Sequence, residues 1–436
     1  MNRLPLHLLR IGLLLSLCCS EALAQVSAEP DSRASARVLA GAAVEINPWT
    51  AKNMDALIEA IGDARVVMLG EAWHGDGAAI ALRSELVKVL HERLGFDVLA
   101  FEADFYGLHR SWTDARRTGS LTAVKADVWP FWVETEAATP IWRYVEDQMR
   151  RGDTLHVAGI DTQIHGRTSR ERLPGELRQR LATLPGANSD SVEAVVEFVT
   201  AALRRDAAAI KAMPASQPAL FGRYMQRLEM EATSAGDGFW ARVAASQITR
   251  SRDRGMGENL IWLATEQYPN RKIIVWAHNN HVLTNKWTYF ESPAALEQLR
   301  GTPIERAGRS TYLGNVARDF FGRRLYSIAT IPYAGTYSPD IVPVLRGEVA
   351  DFGLTTALDP APEGTVEAML AGAGHNLAFV NLRPLRYTVG LTSSRVLDYS
   401  TLGPQALRIA DGWDGLLFTR SAFGLNEPTP KEWAKR

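Results

Sequence analysis

Short runs of apolar residues, each closed by glycine or by polar residues, recur along this chain. Strands that are buried on both faces of a parallel sheet have this near-continuous apolar character, so the runs predict one largely parallel central sheet. The predicted strands cover residues 65–69, 98–102, 155–160, 272–277, 325–330, 377–382 and 415–419.

A helical pattern separates the first two predicted strands. Leu82, Leu86 and Leu90 repeat on one stripe of residues 78–94, and Gly95 follows as a typical helix-ending glycine. A strand, a helix and a second strand in this order predict a right-handed parallel unit. The predicted fold class is therefore α/β, with a largely parallel central sheet and flanking helices.

Residues of about 170–267 have a different character, since they are rich in Ala, Arg, Glu and Leu and contain no convincing strand. They predict a helical insertion or subdomain within an α/β domain that covers residues 46–436. Such an insertion could form one wall of a ligand crevice. Four prolines are expected to divide it into several helices, namely Pro174, Pro185, Pro214 and Pro218.

Ionisable side chains follow three of the predicted strands at the point where each strand ends. Glu71 and His74 follow the first strand in GEAWHG, Glu102 ends the second in FEADF, and His278 and His281 follow the fourth in WAHNNH. Ligands of open α/β folds bind at the carboxyl edge of the sheet. We therefore expect these five side chains to share one crevice.

The residue types suggest two kinds of chemistry. A carboxylate close to an imidazole orients the ring and raises its basicity, as a general base requires. The same histidines and carboxylates could instead ligate a divalent metal. Arg83, on the following helix, could pair with Glu71 or Glu102 or bind a substrate oxygen. The structural alternative is that Glu71 and Asp76 only cap a helix.

Other polar residues have weaker contexts. Asp161 ends a third strand in VAGID, and the pair Arg252 and Asp253 is interpreted equally well as a structural clasp or as part of a catalytic site. The other histidines are taken as structural: His7, His91, His109, His156, His165 and His375. Seven tryptophans could line an apolar cavity, although core packing explains most of them: Trp49, Trp73, Trp129, Trp132, Trp142, Trp276 and Trp287.

Absent motifs and the charge balance exclude several classes. The chain has no G-x-S-x-G, H-E-x-x-H, P-loop or G-x-G-x-x-G pattern, which disfavours a serine hydrolase of the usual α/β type. A formal net charge of −1 gives no indication of a nucleic-acid partner.

The N-terminal segment predicts export. Arg3 and Arg10 precede a short apolar stretch, and Ala-Leu-Ala ends at residue 24, so residues 1–24 have the pattern of a cleaved signal peptide. Both cysteines lie inside this segment, so the mature chain would have no thiol chemistry. Residues 25–45 are expected to be a mobile leader. The expected location is periplasmic or secreted, with no stable membrane anchor after cleavage.

Taken in order, the motifs resemble the erythromycin esterase family. GEAWHG, FEADF, GID, RDRGMGENL and WAHNNH carry the resemblance from about residue 65 to 282, and LGNVARDFFGRRLYSIAT extends it. The resemblance implies hydrolysis of a carboxylic ester or macrolactone without a serine nucleophile. It implies that His74 activates water, and that Glu71, Arg83, Glu102, His278 and His281 support it.

Two alternatives stay open at this point. One is a metal-dependent hydrolase or a metal-binding periplasmic protein, in which the histidines and acids ligate a divalent metal. The other is a noncatalytic protein that binds a glycan or serves polysaccharide synthesis. No cofactor is expected apart from that possible metal, and the expected partner is a small ester or lactone.

The export hypothesis predicts that the mature protein begins at Gln25, because the Ala-Leu-Ala site ends at Ala24. Intact-mass measurement of protein purified from the native cell envelope tests this. Soluble cytoplasmic protein that retains residues 1–24 would contradict it.

Overall fold

The computed structural model describes residues 32–46, 54–152, 155–249, 251–284, 312–339, 344, 350–386, 392–393 and 407–428. The predicted signal peptide lies outside these residues.

A nine-stranded sheet forms the centre of the molecule, with the strand order β1-β8-β11-β6-β2-β5-β3-β4 and β7 paired to β6. The run from β11 to β4 is parallel, whereas β8, β1 and β7 pair antiparallel with their neighbours. The strands are β1 Ala43–Glu45, β2 Val66–Glu71, β3 Phe96–Asp104, β4 His156–Asp161, β5 Lys272–His278, β6 Leu325–Tyr337, β7 Thr356–Leu358, β8 Leu377–Asn381 and β11 Gly415–Ala422. A separate pair consists of β9 Thr392–Ser393 and β10 Leu407–Arg408.

Helices flank the sheet and fill the connections. They are α1 Ser32–Ala42, α2 Asp55–Ile61, α3 Gly77–Leu94, α4 Phe105–Thr118, α5 Thr122–Lys125, α6 Thr139–Arg151, α7 Arg167–Ala182, α8 Ser189–Leu203, α9 Ala207–Ala212, α10 Gln217–Ser234, α11 Gly238–Ile248, α12 Arg252–Trp262, α13 Asn279–Val282, α14 Leu313–Phe321, α15 Val366–Gly372 and α16 Ile409–Gly412. Short 3₁₀ segments lie at Pro130–Trp132, Gly322–Arg324 and Arg383–Leu385, and a π-helical turn at Leu263–Gln267 follows α12. None of the described helices has both the length and the apolar character that crossing a membrane requires.

The α/β prediction with a largely parallel sheet is confirmed, and each of the seven apolar runs forms a strand. The reason lies in the packing. Val66 and Met68 of β2 belong to one hydrophobic core, and Val67 and Leu69 belong to the core on the other face. Because both faces are covered, every position of the strand is apolar and the polar alternation of a half-exposed strand is missing.

The predicted helix after β2 is α3, and Gly95 ends it with a φ of 69°. The stretch between β4 and β5 contains α7 to α12 and the π-helical turn, in line with the expected helical insertion. The prolines differ from expectation in two places. Pro174 lies inside α7, and Pro218 lies in the first turn of α10. A backbone N–H in the first turn of a helix has no partner within the helix, so proline loses no hydrogen bond there.

The structure also differs from the expected leader. Residues 25–31 lie outside the described residues, but residues 32–45 form α1 and β1, and β1 pairs with β8 at the edge of the sheet. Leu39 of α1 is completely buried in the core. Its burial, together with the pairing of β1, fixes this part of the segment onto the domain.

A close contact between Gly70 of β2 and Asn279, which follows β5, brings together the two strand ends that carry the site. The Asn279 side chain donates to the Thr330 carbonyl at 3.0 Å and accepts from the Thr330 N–H at 3.3 Å, which ties α13 to β6. Gly70 lies directly against it, since a Cβ at this position would be 2.2 Å from Asn279 Oδ1. Only glycine leaves room for this arrangement.

We predict that Gly70→Ala lowers the free energy of unfolding by about 1–3 kcal/mol, because the added methyl group overpacks a buried contact. Gly175→Ala is the matched control. Gly175 lies within α7, and a Cβ there would have no neighbour within 4 Å, so this variant should be neutral or slightly stabilising. Urea unfolding of both variants measures the difference, and equal stability of the two would contradict the account.

Candidate active site

The carboxyl ends of β2, β3 and β5 bring the predicted site residues together. The rings of His74 and His278 lie 5.2 Å apart between centroids, and those of His278 and His281 lie 6.3 Å apart. Glu102 contacts both His278 and His281. Neighbouring parallel strands end at the same edge, so residues about 200 positions apart in sequence become neighbours.

His74 is held by a buried carboxylate. Its Nδ1 lies 2.7 Å from Glu71 Oε1, and Glu71 is completely buried. Glu71 is itself held from two sides: Trp132 Nε1 donates to Oε1 at 3.0 Å, and the Arg83 guanidinium pairs with Oε2. Asp76, not Glu71, caps α3 by accepting from Ala79 N. Glu71 is therefore placed to orient the imidazole.

Arg83 lies beneath the sheet edge and does not reach the cleft. Its side chain is fully buried and stacks on Trp276, with 4.1 Å from the guanidinium carbon to the ring centroid. Nη1 also donates to the carbonyls of Leu69 and Ala277. The sequence offered Glu71, Glu102 or a substrate oxygen as partners of Arg83, and in the structure Arg83 pairs with Glu71.

The surroundings of His74 favour a neutral ring. Phe131 stacks on the ring at 4.9 Å, Trp132 meets it edge-on at 5.3 Å, and 13% of the side chain is exposed. Burial lowers the pKa of His74 well below its usual range, while the nearby charge of Glu102 opposes that shift. A neutral ring beside Glu71 carries its proton on Nδ1, which leaves Nε2 unprotonated.

His278 is satisfied by backbone groups. Its Nε2 lies 3.0 Å from the Ala72 carbonyl, and its Nδ1 accepts from Asn280 N at 3.1 Å. This pattern fixes the proton on Nε2. The ring therefore joins the β2 loop to the β5 loop, which is a positioning role.

Glu102 is the centre of a charged cluster. It accepts from the His278 N–H at 3.0 Å and from Arg252 Nη2 at 2.7 Å, and His281 Nε2 lies 3.1 Å away. Burial alone would raise the pKa of Glu102, but His281 and Arg252 outweigh burial and hold the pKa well below its usual range. Glu102 is therefore an anion with its oxygens engaged.

His281 has the opposite charge state from His74. Its Nδ1 lies 2.7 Å from Asp253 Oδ1 and its Nε2 faces Glu102, so both ring nitrogens meet a carboxylate. Burial lowers the pKa of His281, yet Asp253 and Glu102 outweigh burial and raise the pKa to about 10. An imidazolium between two carboxylates can stabilise charge but cannot accept a proton.

Arg252 and Asp253, which the sequence left between two roles, both belong to this cluster. Arg252 donates to Asp161 through Nε at 2.9 Å and Nη2 at 2.5 Å, and this ion pair links the start of α12 to the end of β4. Asp253 accepts from His281 and from the Leu313 N–H. Sequence reasoning missed Trp132 as a partner of Glu71, and nothing in VWPFWVE separates this tryptophan from a core residue.

A cleft of about 700 Å³ opens at this sheet edge. His74, Glu102, Arg252 and His281 line this cleft. The helical insertion also lines the cleft, mostly with apolar side chains that include Phe198, Val199, Leu203 and Phe221. A volume of this size accommodates a drug-sized ligand.

The donor set does not resemble a metal site. Within the part of the chain that the structure describes, no group of three or more His, Cys, Asp or Glu side chains is arranged to hold a metal ion. Both ring nitrogens of His278 and of His281 are engaged by protein groups. These residues therefore do not fit the metal-ligand role that the sequence left open.

The family model described as Erythromycin esterase matches residues 91–418, which is more than half of the chain. The chain belongs to the erythromycin esterase family. The match contains Glu102, Asp161, Arg252 and both histidines of WAHNNH, and it begins after the Glu71–His74 loop. Membership in this family makes the chain a hydrolase.

One relative and two solved structures are similar to this chain over most of its length. A Bacillus subtilis protein named "Putative hydrolase YbfO" is 24% identical over 370 residues, which cover 76% of this chain and 77% of that protein. A solved histidine-to-asparagine mutant of erythromycin esterase EreC in its open conformation has a TM-score of 0.63 at 15% identity, covering 86% of this chain and 95% of that one. A succinoglycan biosynthesis protein has a TM-score of 0.66 at 14% identity, covering 91% and 98%. The two solved structures share the fold.

The pKa of His281 generates a prediction about stability. A raised folded pKa stabilises the protein fully below the unfolded value of 6.5, and this contribution is lost as pH rises through about 10. His281→Gln should therefore lower the free energy of unfolding at pH 7 by about 3–5 kcal/mol, as expected when one partner of a buried ion pair is removed. The difference from wild type should shrink between pH 7 and 10. Urea unfolding across this range measures it, and a gap that is constant or grows with pH would contradict the assignment.

Proposed function

We propose that this protein hydrolyses a carboxylic ester or lactone with water that His74 activates. The observation that carries the proposal is the 2.7 Å contact between His74 Nδ1 and buried Glu71. It directs the unprotonated Nε2 toward the cleft that His74 lines. Among the described residues, no hydrogen-bond partner occupies that nitrogen.

Water is a poor nucleophile at neutral pH, and a neutral imidazole can take its proton as it attacks. The water oxygen bonds to the acyl carbon while its proton moves to His74 Nε2. The carbonyl oxygen becomes the oxyanion of a tetrahedral intermediate. When the intermediate collapses, the bond to the leaving oxygen breaks, and His74 returns the proton to that oxygen. The products are a carboxylic acid and an alcohol.

Glu71 stabilises the imidazolium that forms in this step. Its charge lies 2.7 Å from the ring, and its pairing with Arg83 and Trp132 keeps it in place. Because these partners already surround the carboxylate, it needs no rearrangement when the ring becomes charged. Arg83 is thus a positioning residue for His74.

Arg252 is the strongest candidate for stabilising the oxyanion. Its side chain is 30% exposed and lines the cleft, whereas Arg83 is fully buried. Among the described residues, no carboxylate pairs with Nη1 of Arg252, whereas Nε and Nη2 both donate to carboxylates. His281, with both nitrogens held by carboxylates, contributes by orienting Glu102 and Arg252. A fixed cation aimed at developing negative charge is a major source of catalysis in acyl transfer.

Macrolactones are one class of ester that a cleft of this size could hold, and simple aryl esters are another. The export pattern adds the proposal that the reaction takes place in the periplasm or outside the cell. Activity of the purified protein against aryl esters, simple lactones and macrolides identifies the preferred class.

We predict that His74→Asn lowers kcat by about 10²–10⁴-fold while the fold is retained, because the general base is lost. His375→Asn is the matched control, since His375 also contacts a glutamate, Glu45, at 3.2 Å but does not line the cleft. Steady-state kinetics with an aryl ester measure turnover, and circular dichroism checks folding.

Two results would contradict the proposal. Turnover close to wild type in His74→Asn would show that His74 is not the general base. Complete loss of wild-type activity in EDTA, with recovery on adding zinc, would favour a metal-dependent hydrolysis instead.

A further inference from the structure

The sheet has an amino edge, at which the parallel strands begin, and it lies opposite the cleft. Backbone hydrogen bonds connect the residues at these strand starts. Ile273 N donates to Arg65 O at 2.9 Å, and Arg65 N donates to Arg324 O at 2.8 Å. Asp414 N, just before β11, donates to Ser327 O at 2.8 Å. Because neighbouring strands lie about 4.8 Å apart, the side chains that precede them form one continuous face.

Several helices end at the same edge, and their last turns carry arginines in pairs. α6 leads into β4, α14 and the 3₁₀ turn after it lead into β6, and the end of α4 lies near His156, the first residue of β4. The arginines at these three ends are Arg116, Arg117, Arg150, Arg151, Arg323 and Arg324. The helix dipole favours a cation at each end, but it does not explain pairs that lie on one face.

Some of these arginines have no acid to balance them. Four are exposed, and their side chains have no hydrogen-bond or ion-pair partner among the described residues, namely Arg116, Arg151, Arg323 and Arg324. Exposed acids of the same edge that also have no cation partner in the described part of the chain offset some of this charge, namely Glu59, Asp63 and Asp319.

A further excess of positive charge surrounds Asp414. This one buried carboxylate is paired with three partly exposed arginines, which are Arg318, Arg383 and Arg386. Arg65 donates to the backbone carbonyls of Ala264 and Pro269, which bring no counter-charge. The amino edge is therefore positive, although the whole chain has a formal net charge of −1.

An apolar ring is exposed beside these arginines. Phe320, in the last turn of α14, is 51% exposed, whereas Phe321 next to it is 8% exposed and belongs to the core. Arg323 and Arg324 follow within one turn. A single exposed apolar residue is ordinary on its own. On a positive face it has a specific use, because arginines attract lipid phosphates while the ring enters the headgroup layer.

The charges are spread along the edge, and this spread indicates the kind of partner. The strands from β8 to β4 extend over about 30 Å. One small anion cannot contact charges that far apart, whereas an anionic surface can contact all of them. A soluble polyanion would also satisfy the arginines, but it would offer Phe320 no apolar surroundings. Charge and apolar exposure together therefore favour a bilayer.

We infer that the amino edge docks on a bilayer that contains anionic phospholipids, with Phe320 entering the headgroup layer beside Arg323 and Arg324. The cleft opens at the opposite edge of the sheet, so it faces away from the membrane. This docking is independent of the proposed reaction, because binding to vesicles needs no hydrolysis.

Co-sedimentation with sucrose-loaded vesicles tests the docking of the full mature chain. One set of vesicles is phosphatidylcholine, and the other has equal parts of phosphatidylcholine and phosphatidylglycerol. The wild-type protein should bind the anionic set at least about tenfold more tightly. Raising the salt concentration from about 0.05 M to about 0.5 M should remove most of this difference, because salt screens exposed charges.

Double variants assign the binding to the arginines. Arg323→Gln combined with Arg324→Gln should weaken binding to the anionic vesicles about 10–30-fold, since each basic residue near the surface contributes about fivefold. Arg116→Gln combined with Arg151→Gln should weaken it as well, because these residues belong to the same face.

The matched control removes the same charge elsewhere. Arg204→Gln combined with Lys211→Gln changes two exposed positions of the insertion, which lies on the side of the cleft. This variant should bind as the wild-type protein does. Circular dichroism of every variant checks folding.

The aromatic contribution is tested without a change of charge. Phe320→Ser should weaken binding to the anionic vesicles about tenfold, because the apolar ring no longer enters the headgroup layer. Met230→Ser is the matched control, since Met230 is 69% exposed in α10 of the insertion, and it should leave binding unchanged.

Three results would overturn the inference. They are equal binding to both sets of vesicles, wild-type binding by the variant of Arg323 and Arg324, and wild-type binding by Phe320→Ser. The third result would identify a surface for polyanions in general. If the protein docks as expected but hydrolyses no ester, the docking stands and the proposed reaction fails. If it hydrolyses esters but ignores the anionic vesicles, the reaction stands and the docking fails.

Discussion

Burying a carboxylate at the end of an apolar strand is unfavourable unless donors surround it, and Glu102 meets this requirement with groups from two other segments. His278 N and His281 come from the end of β5, and Arg252 comes from the start of α12. Glu102 can therefore be buried only when the sheet and the insertion are both in place. This one group joins β3, β5 and the insertion wall, and so it fixes the shape of the cleft in which His74 lies.

Two histidines of this site have opposite charge states although each contacts a carboxylate. His281 lies between Asp253 and Glu102, and two negative charges outweigh burial. At His74 burial lowers the pKa more than the nearby charge of Glu102 raises it, and His278, His281 and Arg252 lower it further. The sum of burial and of the positive and negative charges around each ring, more than the presence of one carboxylate partner, decides which histidine can act as a base.

The sequence predicted the strands well because burial on both faces gives them an unbroken apolar character, and strand ends then indicated Glu71, His74, Glu102, His278 and His281. It could not predict how the roles divide among them. Arg83 and His278 are fixed by carbonyl groups of strands distant in sequence, and Asp253 reaches His281 only through the folded insertion. Residues 32–45 of the predicted leader form α1 and β1, and the sequence could not predict this because β1 pairs with β8, which is more than 300 residues away along the chain.

The central claim is that His74 is neutral at physiological pH, with its proton on Nδ1 and Nε2 bare. Nitrogen-15 NMR of histidine-labelled protein measures this directly, because protonated and unprotonated ring nitrogens have different shifts, and comparison with His74→Asn assigns the signals. The account predicts one protonated and one unprotonated nitrogen for His74 at pH 7, with Nδ1 carrying the proton. A doubly protonated His74 ring at that pH, or a proton on Nε2 with Nδ1 bare, would contradict it.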